Sequence, residues 1–599
     1  MRLAGPLSLL PLVFAGQIPF QQLRKNAFIT PVIDEFVTSE LARWNSSGLS
    51  VAVIRQDTSA PGKWDIEFGS YGTAKGDGSP VTPDTLFAIA SNSKLFLAAS
   101  VGLLIKNASL AGDRGAALRW DTKIAKVLPE WSLMDQEMQD GVMIQDMLSH
   151  RTGLPRHDMS GSAREGGVKE MISTMKYLRP SAALREQYQY NNLMFETLSY
   201  LPPTVLNQTF ESYISKNIFD PLGMSSSTYS VAEAETSGNL AHGFYWSMQD
   251  WLYGINGTRT AIDPYFQRPG EEKIWAGAAG ILTSARDLST WVAMLLNKGR
   301  HPTTNETVIP EDVVDHLATG VSVANGKPKY PELSVSVYGC GQDRYSYRGF
   351  EILEHGGSNP GFKTQVARFP NDNLGVIVLS NDELGGHILE SVKWRIVDQV
   401  LGLEPIDWAQ RYADELTKGI SDNQAVTPRP TNPALPSVPF ISMEGTYSHG
   451  AYGAISPCLV QSSPSPVCDD VFASPVVQRI LSVSNSSIPT LIAPFKRTFS
   501  THLRFTHFDA NMFNVSVLWS NADVRKEEKY ALGEDAEVLV GFDDRYVAEW
   551  VEGNGDRLMN GEGEGDGWAF SGNFWGKAGE VRELVGVAKE KAEVWFERV

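Results

Sequence analysis

Cysteine is scarce, with three in 599 residues. Cys458 and Cys468 lie close together and read as one bridge formed in an oxidising compartment. Cys340 is left over as a buried thiol, and Tyr338-Gly339-Cys340-Gly341 reads as strand and turn, which disfavours a catalytic cysteine. Long apolar runs are also missing. Beyond the first fifteen residues nothing approaches the roughly 20 residues a bilayer-spanning helix needs, so no membrane anchor is expected. Basic charge is in deficit: 52 Lys and Arg against 70 Asp and Glu give a net charge of −18. That balance disfavours nucleic acid and anionic membrane as partners. No Gly-x-Ser-x-Gly elbow occurs, which disfavours an α/β-hydrolase. His150 and His157 have no further ligands at regular spacing, so no metal is expected. The acidic run from Gly561 to Gly567 lacks the ligand spacing of an EF-hand. No cofactor is expected either.

What is present is globular: 42% hydrophobic, 10% aromatic and 20% charged residues. The length is too great for one ordinary core, so two or more domains are expected. Residues 1–15 read as a signal peptide, with Arg2 before an apolar stretch and Val13-Phe14-Ala15 as an imperfect cleavage site. Seven Asn-x-Ser/Thr sequons start at Asn45, Asn107, Asn207, Asn256, Asn305, Asn485 and Asn514. Leader and sequons together predict a secreted protein carrying N-glycans.

In chain order, Pro31 to Ser46 reads as an amphipathic helix, and Leu49 to Ile54 and Trp64 to Gly69 as a strand hairpin. Ala285 to Leu296 reads as a helix that Ser284 or Asp287 caps. Val335 to Asn381 reads as antiparallel strands. Residues 421–440 are proline-rich and polar, which predicts a linker. Residues 441–599 carry short alternating strands, glycine turns and aromatics, which predicts a separately folding β-barrel or sandwich.

The chain is organised around Ser91-Asn92-Ser93-Lys94 at the start of an apolar helix. Three residues apart, Ser91 and Lys94 share a helix face. A serine hydroxyl needs a neighbouring base to become a nucleophile. The helix N-terminus adds free N–H groups and partial positive charge. The motif alone is weak, since it occurs by chance about twice in such a chain. Ser173-Thr174-Met175-Lys176 is a decoy of the same spacing, and a helix N-cap is the bland reading of Ser91.

Two further stretches follow in order: Tyr190-Asn191-Asn192 and His355-Gly356-Gly357. With Ser91-x-x-Lys94 they resemble the serine β-lactamase and penicillin-binding-protein superfamily, in its class C-like branch. Residues 148–154 and 280–288 match recurrent structural stretches of that family, and the resemblance covers about residues 30–405. It implies an α/β, transpeptidase-like fold: an antiparallel sheet flanked by helices, plus a helical subdomain. The implied domains are a catalytic unit over 25–420, a linker over 421–440, and a smaller all-β, lipocalin-like domain over 441–599. The decoy Ser173 falls where the family has no nucleophile.

The resemblance also implies roles. Ser91 forms the acyl-enzyme, and Lys94 keeps Ser91 and Tyr190 polarised. Tyr190 is the general base, as phenolate or through a proton relay. Asn192, His355, Gly356, Gly357 and Ser358 bind substrate, with the N–H groups of Ser91 and Ser358 as oxyanion hole. Where β-lactamases carry Lys-Thr-Gly this chain has His355-Gly356-Gly357, so an ester, peptide or other small amide is expected rather than an antibiotic. The expected activity is that of a secreted serine hydrolase. An acyltransferase using the same residues, or a binding protein that kept the fold, are the alternatives.

Overall fold

The hairpin expected near the N-terminus forms one edge of the molecule's first sheet. In the computed structural model, residues 28–57, 62–107, 110, 118–162, 166–246, 259–262, 272–424, 427–460, 468–482, 487–520, 540–553, 565–579 and 584–599 are described. The leader, the sequons at Asn256 and Asn485, and Gly561 to Glu564 lie outside the described residues. Of the other sequon asparagines, Asn45, Asn207, Asn305 and Asn514 are exposed and Asn107 is half-buried.

Eight strands make this sheet: β1 (Gly48–Gln56), β2 (Trp64–Gly72), β3 (Ser322–Asn325), β4 (Ser336–Tyr338), β5 (Asp343–Tyr347), β6 (Phe350–Asn359), β7 (Phe362–Phe369) and β8 (Leu374–Ser380). Their order is β2-β1-β8-β7-β6-β5-β4-β3, and the ladders are antiparallel. The apolar runs of β1 and β8 are explained by layers on both faces, because successive side chains alternate between them. Val51, Val53, Val376 and Val378 meet α1 (Pro31–Arg43), α6 (Gly385–Val400) and α7 (Trp408–Gln424). Ala52, Ile54, Ile377 and Leu379 belong instead to the core that holds α2 (Ser93–Lys106) and α5 (Ala285–Leu296). There Phe96 and Trp291 stack with ring centroids 4.0 Å apart. Burying such an aromatic contributes roughly 1.5–3 kcal/mol.

Helix α5 begins and ends where its sequence predicts, because the Ser284 hydroxyl accepts from the Asp287 N–H at 3.1 Å. A helical subdomain lies between β2 and β3. Its helices α3 (Asn192–Ser199) and α4 (Glu272–Ala279) flank the first turn of α2.

The C-terminal part is all-β around one sheet of nine strands: β9 (Tyr447–His449), β10 (Gly453–Ile455), β11 (Cys458–Leu459), β12 (Thr490–Arg497), β13 (Ser500–Asp509), β14 (Met512–Ser520), β15 (Val540–Val551), β16 (Gly567–Ser571) and β17 (Val594–Arg598). The order is β10-β9-β17-β16-β15-β14-β13-β12-β11. The sheet curls into a half-barrel, with the Tyr452 carbonyl accepting from Arg497 across its ends. Cys458 and Cys468 are bridged as the sequence predicts, and Cys340 is a buried thiol.

This half-barrel domain packs against the rest of the chain. One continuous apolar core runs from Leu97 and Trp275 through Tyr452, Phe574 and Phe596. Backbone bonds cross between the parts, from the Arg156 and His157 N–H groups to the Gly576 and Trp575 carbonyls at 3.2 and 2.8 Å. No helix among the described residues is long and apolar enough to cross a membrane.

Candidate active site

Ser91 sits in a 3-10 turn, Ala90–Asn92, just before α2 rather than in the helix itself. Ala90 holds φ at +50°, a region costly for a residue with a Cβ. The strain turns Ser91 out at the head of α2, leaving its side chain half-buried while Asn92, Ser93 and Lys94 are buried.

Three side chains converge there. Lys94 Nζ lies 3.1 Å from Ser91 Oγ, 2.7 Å from Asn192 Oδ1 and 2.9 Å from the Ala278 carbonyl. Tyr190 donates its phenol proton to Ser91 Oγ at 2.9 Å. Asn192 is fixed at both ends of its amide, since its Nδ2 donates to Asp158 Oδ1 at 3.0 Å. The extended segment before α3 presents Tyr190, and Asn191 caps that helix by accepting from the Met194 N–H.

Burial decides the ionisation of this cluster. It lowers Lys94 to about 7, helped by Arg156 and opposed by Asp158 and Glu196. Burial also raises Tyr190 well above the ordinary phenol range, although Arg156 and the Ser91 hydrogen bond pull the other way. The resting site therefore holds a neutral phenol and a lysine poised near neutrality, not a standing phenolate. Burial, then Lys94, lowers His355 to about 3.

His355 is 7% exposed and lies under the strand. Its Nδ1 meets the Gly356 carbonyl at 2.5 Å and its Nε2 meets Tyr338 Oη at 2.9 Å. A carbonyl only accepts, so the proton is on Nδ1 and Nε2 accepts from Tyr338. The imidazole is neutral, with both nitrogens engaged inside the protein. It brings no positive charge in place of the missing lysine.

Strand β6 has two halves. Phe350 to Glu354 pair with β5, while His355 to Asn359 pair only with β7. Among the described residues the other edge of His355 to Asn359 is open, and Gly356 and Ser358 are exposed. Gly357 is there because the turn before Ser91 crosses it. A Cβ would lie 2.3 Å from the Ile89 carbonyl and 2.2 Å from Thr364 Oγ1. Thr364 ties strand to turn, donating to the Ile89 carbonyl at 3.0 Å and accepting from Asn92 at 2.9 Å.

The structure thus brings Ser91, Lys94, Tyr190 and Asn192 into contact and sets the Gly357 strand against their turn. The decoy Ser173 is elsewhere, its hydroxyl bonded to the Glu170 carbonyl within its own helix. His157 bonds Tyr452 Oη at 2.7 Å and the Arg179 carbonyl at 2.9 Å. No cluster of metal-ligating residues occurs among the described residues.

Three residues of the site escaped the sequence reading. The Arg156 guanidinium lies 4.7 Å from the Tyr190 ring centre and pairs with Asp158 at 2.7 Å. Glu196, fully buried, accepts from the Ala278 N–H at 2.6 Å, and burial raises it to about 8. It therefore braces Ala278, the residue whose carbonyl meets Lys94. Glu196 follows Asn192 by four residues on one helix face, a spacing that could have drawn attention to it.

Comparison with known proteins fits this geometry. The family model described as Beta-lactamase matches residues 33–400. The chain is similar to Unguisins hydrolase ungD' of Aspergillus campestris, 29% identical over 70% of this chain and 76% of that protein. Unguisins hydrolase ungD of Aspergillus violaceofuscus is 28% identical over 71% of this chain and 76% of its own length. The octameric penicillin-binding protein homologue from Pyrococcus abyssi superposes with a TM-score of 0.52 at 17% identity, covering 87% of this chain and 96% of that one.

Proposed function

This chain belongs to the β-lactamase family, and from that premise we propose that it is a secreted serine hydrolase that cleaves a peptide amide through an acyl-enzyme on Ser91. The observation that carries the reading is the pair of side chains on one oxygen, Lys94 at 3.1 Å and Tyr190 at 2.9 Å from Ser91 Oγ. In its neutral form Lys94 keeps two N–H bonds for Asn192 and Ala278 and turns its lone pair toward the serine. Ser91 Oγ attacks the substrate carbonyl carbon and its proton passes to Lys94 Nζ. The N–H groups of Ser91 and Ser358 take the developing oxyanion. The Tyr190 phenol protonates the leaving nitrogen and is recharged from Lys94, and water then resolves the ester.

The open half of β6 supports a peptide as substrate. An extended backbone pairs with a free strand edge through main-chain bonds alone. Gly356 and Gly357 keep that edge clear of side chains. His355 acts by holding the strand against Tyr338, not by touching substrate. The name of the Aspergillus hydrolases is consistent with hydrolytic chemistry here.

A fluorophosphonate probe followed by peptide mass spectrometry tests this. The expected adduct is on Ser91, is lost in Ser91→Ala and is kept in Ser173→Ala. An adduct elsewhere, or peptidase or esterase turnover retained in Ser91→Ala, contradicts the assignment.

A further inference from the structure

Beneath the active site, between α2, α5 and the sheet, lies a cavity of about 20 Å³. Its walls are mainly apolar, including Phe96, Trp291 and Val366, with polar groups from Asn92, Gln342 and His355. Arg368 of β7 reaches into it. This residue stands opposite Leu353 in the ladder and is 6% exposed. Among the described residues no hydrogen bond or carboxylate meets its guanidinium; desolvation is the one influence on its ionisation. Glu354 borders the cavity, but its carboxylate is taken by Lys393 at 2.8 Å and by Tyr345.

A buried charge without a partner costs several kcal/mol, and no side chain among the described residues pairs with this one. Losing the proton is no escape at neutral pH, because burial lowers Arg368 only to about 10. Among the described residues nothing meets the charge, which leaves room for a small anion in the cavity. Size limits what that can be: a cavity needs about 10–15 Å³ to hold one water-sized particle, so this one has room for one, at most two. Phosphate, sulfate and carboxylate ligands are too large. Gln342 also borders the cavity, and its buried Oε1 lacks a donor while its Nε2 donates to the Leu317 carbonyl at 2.8 Å.

We propose that the cavity is a halide site, in which one chloride ion is held by the Arg368 guanidinium beneath the first turn of α2, with a water between the ion and Gln342 Oε1. The site lies outside the acyl-transfer residues. It anchors the layer on which the Ser91 turn and β6 rest, since Asn92 and His355 border it from above.

The test uses the full chain in chloride, bromide and gluconate at equal ionic strength, which holds screening constant. The melting temperature is expected to rise by a few degrees on replacing gluconate with chloride or bromide, and to saturate. Arg368→Met, which exchanges the charge for an apolar chain of similar length, is expected to lose the halide dependence. In gluconate it should melt at or above wild type, because an unpaired charge has gone. Crystals of wild type soaked in bromide are expected to give an anomalous peak at the guanidinium. Equal melting of wild type in gluconate and bromide, or no bromide peak at Arg368, would overturn the proposal whether or not Arg368→Met folds.

Discussion

An ammonium has three N–H bonds, and Lys94 faces three acceptors, Ser91, Asn192 and Ala278. Protonated, it satisfies all three; neutral, it has a lone pair for one of them. With its value lowered to about 7, the fraction able to take the Ser91 proton grows as pH rises through neutrality. Glu196 opposes that lowering by favouring the charged lysine. Glu196, raised to about 8, exerts that effect only when ionised, so Glu196→Gln should alter the kcat/KM profile near and above pH 8, while a purely structural role would lower activity at every pH alike. Tyr190→Phe should cut kcat by about 10²–10⁴-fold with a smaller change in KM. If only KM changes, Tyr190 is a binding residue. Ser91, Lys94, Tyr190 and Asn192 were legible in the sequence because each is a fixed residue type at a short spacing. Arg156 and Glu196 were not, because their effect comes from where burial places a charge. The same gap made a phenolate look favourable at Tyr190.

The element most exposed to a single change is the second half of β6. A methyl group at Gly357 meets the backbone carbonyl of Ile89, which cannot rotate aside. Overpacking of this kind costs about 1–3 kcal/mol, and a shift of about 1 Å in the oxyanion strand can cost about 10²-fold in rate. Gly357→Ala should therefore fold with lowered stability and lose most turnover, whereas Gly356→Ala, whose Cβ meets only Gln365 at 3.0 Å within contact range, should lose far less. Equal losses at the two positions would contradict the packing argument. A second element depends on one carboxylate. Asp146, fully buried, accepts from Arg151 and Arg185 and from the Met143 N–H at the start of its helix. Asp146→Ala removes the acceptor of two partly exposed guanidinium groups and of the Met143 N–H, and should cost roughly 1–3 kcal/mol, read as a lowered melting temperature. Element boundaries were legible where the signal is local, as at Ser284 and α5. The 3-10 turn at Ala90–Asn92 was not, because its left-handed alanine is imposed by Thr364 and Gly357 from 274 and 267 residues away along the chain.

At the scale of the whole chain, the proline-rich stretch and the change of pattern after it suggested two units that could be parted. The structure joins them through a shared core and through the Arg156-His157-Asp158 segment, which hangs on the Trp575 and Gly576 carbonyls and touches Tyr190 and Asn192. Trp275 of α4 likewise donates to Thr498 at 2.7 Å. A chain ending after Gln424 would uncover this apolar surface and is expected to aggregate; a soluble monomeric fragment with wild-type turnover would contradict the structure's account. No local pattern could have announced that docking, since the paired surfaces lie some 420 residues apart. The proposed activation of Ser91 rests on a lysine that burial has tuned. The most direct measurement is therefore the second-order rate of Ser91 modification by a fluorophosphonate as a function of pH, in wild type and Lys94→Met. The account predicts a rise through an apparent pKa near 7 in wild type and a slow, flat profile in Lys94→Met. A pH-independent rate in wild type, or a Lys94→Met protein labelled as fast as wild type, would contradict it.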